Sequence, residues 1–240
     1  MIIILASRWD STAEATAACW AHRPVRVMTP RDLCVSGWRQ HLGVRKRGAS
    51  SGDVAVVQRR LLPQREITGV LTRLPWVTDG ELTEVAAHDR AYVATEMTAF
   101  LLFWLSQLRC PVLNRPTPTC LSGPYWRAEK WVHVAAQAGI PVQAVRRDTR
   151  WESAANALPP TTAVAVTVIG RRIFGEAHPD LLKQSRRLAE LAEVALLTVR
   201  FAGAERGAAF MGADTFPALD DERFKEAVLE YLCGISATGQ

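Results

Sequence analysis

The chain has 240 residues and a formal net charge of +5, with 48% hydrophobic and 22% charged residues. This is the composition of an ordinary globular protein, with enough volume for one large domain or two small ones. The longest apolar run, Ala99–Leu105, is far shorter than the roughly 20 residues that span a bilayer, and the N-terminus does not resemble a signal peptide. We therefore expect a cytoplasmic protein with no membrane partner.

Cysteines and basic clusters exclude two further classes. The cysteines show no zinc-ligand spacing, which predicts reduced thiols and no metal site. Short basic clusters are scattered along the chain without interleaved aromatic residues. We therefore do not expect nucleic acid to be a partner.

The N-terminal third predicts a βαβ arrangement. Ile2–Ala6 is a short apolar run typical of a strand buried on both faces of a parallel sheet. A helix that Asp10 or Ser11 can cap is predicted to run to about His22, and Pro24–Met28 is the next strand. A second helical segment is predicted after the turn at Pro30.

The middle of the chain continues this α/β pattern. A Gly/Ser/Arg-rich loop is predicted first, followed by two strands, a long apolar helix and a short buried strand: Leu42–Asp53, Val54–Leu61, Ile67–Arg73, Leu82–Leu108 and Pro111–Asn114. Prolines then break the chain. A further helix is predicted at Trp126–Ala138, a strand at Ile140–Val145, and a polar connection at Arg146–Thr162.

The last third predicts antiparallel strands. Ala163–Phe174 reads as two strands around a turn at Gly170, and a charged helix follows at Pro179–Glu193. Two more strands are predicted at Leu196–Phe201 and Ala208–Asp214, and the remaining chain is predicted as a helix, Asp220–Leu232, with a frayed tail. The predicted organisation is an N-terminal α/β domain with a parallel sheet over residues 1–118, a connecting helix and linker over 119–162, and an α+β lobe over 163–240.

Six stretches in this order resemble one family. They are Gly69–Trp76, Tyr92–Glu96 with Pro111–Pro116, Arg127–Trp131 with Ala138–Val142, Val166–Phe174, Leu188–Phe201 and Gly207–Pro217. Together they resemble the ATP-grasp superfamily, in particular the ligases that join an amino acid or peptide amine to a carboxylate. The resemblance implies a pre-ATP-grasp-like N-terminal domain followed by a remnant of the large ATP-grasp lobe.

The family binds magnesium, but this chain has different residues at the positions of the expected ligands. The family holds magnesium with an acidic residue on the penultimate strand and a Glu-x-Asn group on the last strand. Here Arg200 stands where the first carboxylate is expected, Asp214 can replace the glutamate, and the asparagine position is Phe216 or Thr215. A cation beside one carboxylate repels magnesium by about 4 kcal/mol per unit charge at about 4 Å. We expect Arg200 to pair with Asp214 instead, and no metal to be bound.

The nucleotide lid is also predicted to be missing. The family covers ATP with a subdomain that carries a lysine and a glycine-rich loop, but Arg146–Thr162 contains neither residue type. Without a lid, Lys130, which helps at the nucleotide region in the family, is predicted to be a solvated charge. We therefore expect no cofactor, and ATP with magnesium only if the chain is an active ligase.

Five side chains in the N-terminal domain are candidates for ligand binding. Tyr92 and Glu96 lie one helical turn apart, either as a hydrogen-bonded pair facing a cleft or as an anchor to neighbouring backbone donors. Arg73, Asn114 and Arg115 fall at the ends of predicted strands, where α/β sheets place ligands. They can hold a phosphate or carboxylate, and loop termination and surface solvation explain them almost as well.

Three hypotheses follow. The first is a degenerate, non-catalytic ATP-grasp-like protein, a pseudoenzyme that acts as a binding or partner subunit in a ligase-type or peptide-modification pathway. Loss of the lid would expose an apolar surface, which predicts a homo-oligomer or a protein or peptide partner. The alternative is a minimal active carboxylate–amine ligase that places Arg200, Asp214, Lys130 and Arg73 around ATP. The third is a small-ligand-binding protein that uses the N-terminal strand ends.

Overall fold

The computed structural model describes residues 1–41, 52–143 and 163–234. Most of the predicted loop Leu42–Asp53, all of the predicted connection Arg146–Thr162 and nearly all of the predicted tail therefore lie outside the described residues. Contacts divide the chain into two compact units, one comprising Met1–Gly123 with the chain from Ala218 onwards, and the other Pro124–Pro217. The functional domain boundaries predicted from the sequence stay predictions.

The first unit is built on a parallel sheet. Its strands, in the spatial order β2-β1-β5-β6, are β1 (Ile2–Ala6), β2 (Val25–Met28), β5 (Gly69–Arg73) and β6 (Val112–Leu113). A separate hairpin consists of β3 (Val54–Val57) and β4 (Arg60–Pro63), and the helices are α1 (Ser11–Cys19), α2 (Arg90–Gln107) and α5 (Glu222–Leu232). The parallel sheet confirms the predicted α/β character of this part of the chain.

Both faces of this sheet are covered, which explains the uninterrupted apolar sequence of β1. Ile3 and Leu5 belong to the same hydrophobic cluster as Leu101 and Trp104 of α2. Because side chains alternate along a strand, Ile2 and Ile4 face the other way, and α1 and α5 contact the sheet strands as well. Gly69 lies so close to α5 that a Cβ atom there would be 2.8 Å from the carbonyl oxygen of Leu232.

The second unit is an antiparallel sheet with helices on one face. Its strands, in the order β10-β9-β7-β8, are β7 (Val164–Ile169), β8 (Arg172–Phe174), β9 (Leu196–Phe201) and β10 (Phe210–Asp214). The helices α3 (Ala128–Gln137) and α4 (Pro179–Leu191) share a hydrophobic cluster with alternate strand residues, including Val166, Val168, Val199 and Phe201. The antiparallel lobe predicted from the alternating apolar pattern is confirmed.

Four predicted elements differ in the structure. The predicted strand Val54–Leu61 folds back on itself, because Gln58 and Arg59 adopt positive φ values of 51° and 60° and form a two-residue turn. The helical segment predicted after Pro30 is a short 3₁₀ helix, Pro30–Cys34. The predicted strand Ile140–Val145 is represented, in its described part, by an isolated bridge between Val142 and Phe210.

The long helix predicted at Leu82–Leu108 begins later, at Arg90. The preceding residues form separate turns, in which the amides of Val85 and Asp89 bond to the carbonyl oxygens of Leu82 and Ala86. The Arg90 side chain donates hydrogen bonds to the carbonyl oxygens of Val85 and Thr83, which satisfies these turns and favours them over a further helical turn. In the part of the chain that the structure describes, no helix has the length and apolarity needed to cross a membrane.

Candidate functional site

Arg73 is held in an ion pair at the carboxyl edge of the parallel sheet. It is the last residue of β5, and its Nε lies 2.8 Å from Oδ2 of Asp10, with only 7% and 13% of the two side chains exposed. Asp10 also caps α1, because its Oδ1 accepts a hydrogen bond from the amide of Ala13 at 3.1 Å. The structure therefore gives Arg73 a partner in the protein at the position where the sequence suggested a bound anion.

A second carboxylate at this edge is also engaged by the protein. Glu81 is buried, and it accepts hydrogen bonds from the Ser7 hydroxyl and, at 3.5 Å, from the Arg8 amide. The Arg8 guanidinium donates to Thr83 and Gly80 and lies over the exposed ring of Trp9, at 4.4 Å from its centroid. These contacts fix the chain that leaves β1.

The two other strand-end candidates have different environments. Asn114 follows β6 and is buried, and its carbonyl oxygen accepts a hydrogen bond from Thr72 Oγ1 at 3.0 Å. A Cβ atom on Gly123, where φ is 104°, would lie 3.0 Å from the Asn114 Cβ, so Asn114 packs directly against this glycine. Arg115 is exposed. Asn114 is thus part of the packed edge of the sheet, and Arg115 is at its surface.

Tyr92 and Glu96 lie on the rim of a groove. Both side chains are exposed and make no hydrogen bond to each other or to a backbone donor within the described part of the chain. The predicted hydrogen-bonded pair and the predicted backbone anchor are therefore both wrong, because these side chains point away from the core on the outer face of α2. The groove beside them has a volume of about 540 Å³, and the segment from Leu33 to Trp38 forms its opposite wall.

In the second unit, the sheet face opposite α3 and α4 carries the predicted ATP-grasp floor. The register places Thr167, Thr198 and Asp214 side by side on this face, with Arg200 one step further along β9. Thr167 and Thr198 are buried, and their hydroxyl oxygens are 2.8 Å apart. This hydroxyl pair occupies the middle of the face where the ATP-grasp resemblance implies a metal and nucleotide.

Arg200 and Asp214 do not form the predicted ion pair. Arg200 is exposed and makes no ion pair with any described residue, while Oδ1 of Asp214 accepts a hydrogen bond from the Phe216 amide at 2.8 Å. The prediction fails because Asp214 lies opposite Thr198 and turns its carboxylate onto its own loop.

A magnesium ion does not fit these residues. Magnesium requires a near-octahedral shell of oxygen ligands, usually including one or two carboxylates. Among the residues that the register of the four described strands places on this face, Asp214 is the only carboxylate, and Arg200 is its diagonal neighbour. Across the described residues, no group of three or more His, Cys, Asp or Glu side chains could hold a metal ion.

Lys130 projects from the surface of α3. Its ammonium group lies 5.3 Å from the centroid of the Trp126 ring, which in turn packs on Trp131 at 4.7 Å. This contact is a cation–π interaction, worth about 0.5–1 kcal/mol at an exposed site. The structure thus shows a stacked surface lysine, and a role of Lys130 toward a nucleotide stays a prediction.

All five cysteines are free thiols in the structure. Burial raises the pKa of Cys110 above its ordinary value. Burial also raises the pKa of Cys34, and the negative charge of Glu84 raises it further. A raised pKa lowers the thiolate fraction at neutral pH, so neither cysteine has the character of an activated nucleophile.

Comparisons with known proteins show which solved structures share this fold. No protein-family model matches the sequence, and no curated protein matches it. Among solved structures, the chain is similar to macrocyclase MdnC from Microcystis aeruginosa MRC, bound with precursor peptide MdnA, with a TM-score of 0.67 and 11% identity over 98% of this chain and 100% of that one.

Two further structures show the same likeness. A RiPP-associated ATP-grasp ligase from Chryseobacterium gregarium, in complex with ADP and a leader and core peptide, gives a TM-score of 0.68 at 10% identity over 98% of this chain and 97% of that chain. ATP-grasp ligase PsnB, complexed with a minimal precursor, gives 0.59 at 14% identity over 97% and 95%. The chain therefore has the ATP-grasp fold, as its collinear motifs predicted.

Sequence reasoning missed two features of the first unit. The groove depends on Leu33–Trp38, a segment with no motif, packing beside the outer face of α2. The partners of Arg73 and Glu81 come from the chain that leaves β1, more than 60 residues earlier. The one available signal was that Asp10 follows a predicted strand in a parallel sheet, so that it shares an edge with the end of β5.

Proposed function

We propose that this chain is a non-catalytic protein with the ATP-grasp fold that binds a peptide or protein partner in a peptide-modification pathway. The observation that carries the proposal is the exposed Arg200 on the sheet face where the ATP-grasp resemblance implies a magnesium-binding carboxylate, with Asp214 bonded to its own loop. Such a face repels the metal that an acyl-phosphate mechanism requires. According to this proposal, the chain uses neither ATP nor magnesium.

Peptide recognition is supported by the structures that share the fold. MdnC was solved with a precursor peptide, and the Chryseobacterium gregarium ligase with a leader and core peptide. A ligase of this kind has two separable properties, since it must recognise a peptide and must also activate a carboxylate. We propose that this chain keeps the first property and lacks the second.

Calorimetric titration with Mg-ATP tests the absence of catalysis. The expected result is no heat of binding at millimolar nucleotide, with or without added magnesium, and no hydrolysis of ATP. A magnesium-dependent binding isotherm would contradict the proposal and would favour a minimal active ligase. In that case Asp214→Asn should weaken binding, while Asp220→Asn, close in sequence but outside the strands, serves as the matched control.

A further inference from the structure

We propose that the groove beside α2 is a docking site for a peptide segment that presents an apolar or aromatic side chain with a lysine or arginine close to it. This inference rests on the proposed function and deepens it, because it assigns the site and the chemistry of the peptide. The groove lies wholly within the first unit, between the segment Leu33–Trp38 and the stretch of α2 from Tyr92 to Phe100.

The lining of the groove is mostly apolar. Its volume of about 540 Å³ falls within the range of about 300–1,000 Å³ that is usual for sites that enclose a small molecule or side chains. Six of its lining residues are apolar: Leu33, Val35, Trp38, Val93, Met97 and Phe100. An apolar side chain that enters this space would exchange water for carbon contacts on both sides.

One wall of the groove is rigid before any ligand arrives. The Trp38 ring makes edge-to-face contacts with Phe100, at 5.2 Å between centroids, and with Trp104, at 5.7 Å. Its indole Nε1 donates a hydrogen bond to the Asp32 carbonyl oxygen at 2.9 Å. A wall that is already ordered reduces the entropy lost on binding, which favours recognition of a short segment.

The rim of the groove carries exposed apolar side chains. Tyr92 is 68% exposed on one side, and Leu61 of β4 is 60% exposed on the other. Leu61 reaches the backbone of Gly37, since a Cβ atom on Gly37 would lie 2.5 Å from its Cδ2. Leu61 thus adds exposed apolar area next to Gly37, which lines the groove, and exposed apolar area is typical of protein and peptide interfaces.

Glu96 specifies the charge of the partner. Among the described residues that line the groove it is the only charged one, and its carboxylate makes no ion pair with any of the described residues. A lysine or arginine placed next to the apolar anchor of a peptide would meet this carboxylate at the rim. The pairing would add modest affinity, but it would select basic over acidic neighbours.

The test begins with selection of peptides from a phage-displayed library of random dodecapeptides on the full-length chain. The expected peptides contain an aromatic or leucine residue and, close to it in the sequence, a lysine or arginine. In a helical peptide the basic residue should follow or precede by one or two turns, and in an extended peptide by a few residues. Fluorescence anisotropy with the selected peptides then measures the effect of Glu96→Lys, which should weaken binding about fivefold. A peptide with glutamate in place of its basic residue should bind Glu96→Lys better than it binds the wild type.

Two further variants complete the design. Tyr92→Ala should also weaken binding, because it removes part of the apolar rim. Glu190→Lys makes the same charge change at an exposed site on α4 and should leave binding unchanged. Because Tyr92, Glu96 and Glu190 are exposed, none of these changes should unfold the chain, which circular dichroism checks.

Three outcomes would overturn the inference, and they separate it from the proposed function. Peptides that bind equally well to wild type, Tyr92→Ala and Glu96→Lys would place peptide recognition elsewhere and leave the proposed function intact. If no peptide is selected and light scattering shows a dimer that Tyr92→Ala weakens, the groove binds a second copy of the chain. A monomer that selects no peptide would contradict both proposals.

Discussion

Replacing Asp10 with asparagine tests whether Arg73 has a structural role. The change keeps a side chain that can cap α1 but removes the negative charge beside the Arg73 guanidinium. Because both side chains are largely buried, water replaces the lost charge poorly. Removing one partner of a buried ion pair costs about 3–5 kcal/mol, and we expect about 3 kcal/mol because part of Asp10 remains in contact with solvent.

Urea unfolding, followed by circular dichroism and tryptophan fluorescence, measures this effect. With a slope of about 2 kcal/mol per M, the midpoint should fall by about 1.5 M. Asp10→Ala should cost about 1 kcal/mol more, because it also removes the helix cap. Asp221→Asn is the matched control, since Asp221 also caps a helix and pairs with an arginine, but in an exposed pair that solvent screens.

A midpoint that falls by less than about 0.5 M for Asp10→Asn would refute this reasoning, because the ion pair would then contribute little. Combining Asp10→Asn with Arg73→Met should recover part of the loss, since the buried charge is removed along with its partner. If Arg73 instead serves a ligand, the substitutions should alter ligand affinity while the unfolding midpoint stays near that of the wild type.

Three further predictions concern the second unit and α5. Arg200→Glu removes a positive charge about 7 Å from the Asp214 carboxylate, and with it a repulsion of a metal ion of about 2 kcal/mol per unit of ion charge. Weak Mn²⁺ binding should therefore appear in paramagnetic resonance titrations of this variant. Absence of such binding would contradict the proposal that Arg200 repels the metal. Thr198→Val should cost about 1–3 kcal/mol in urea unfolding by removing the partner of the buried Thr167 hydroxyl, whereas the double valine variant should be nearly neutral. Hydrogen bonds from the Arg223 side chain and backbone lower the pKa of Asp221, so this carboxylate stabilises the folded chain above about pH 4 and the contribution is lost as the pH falls through the lowered pKa. Asp221→Asn should remove that part of the acid dependence, measured as the unfolding midpoint against pH.

Local sequence was sufficient where burial alone determines an element. The five apolar residues of β1 are all buried, as expected for a central parallel strand. In β7, Val166 and Val168 pack in the cluster with the helices, whereas Thr167 lies on the other face and pairs with Thr198. It was insufficient where the conformation depends on an atypical residue. The turn at Gln58 and Arg59 has positive φ values without glycine or asparagine, so no turn signal separated the two strands.

The last helix depends on contacts that its own sequence does not specify. Its amphipathic sequence predicts a helix, and the structure has one at Glu222–Leu232. The sequence grouped it with the lobe that precedes it in the chain, but it packs in the first unit, where the Trp20 indole donates a hydrogen bond to the carbonyl oxygen of Lys225 and Leu232 contacts Gly69. An apolar helix face does not specify which surface covers it, so the packing partner of this helix is visible only in the tertiary structure.

The amino-acid sequence alone indicated the fold and the charge at the expected metal position. Collinear motifs indicated the ATP-grasp fold, and Arg200 was visible as a cation where a carboxylate is required. The contacts of the candidate side chains, in contrast, became visible in the folded chain. The parallel sheet brings Arg73 to Asp10, and the packing of Leu33–Trp38 beside α2 forms the groove that Glu96 lines. Both sets of residues are about 60 positions apart in the chain, so these contacts leave no local pattern in the sequence.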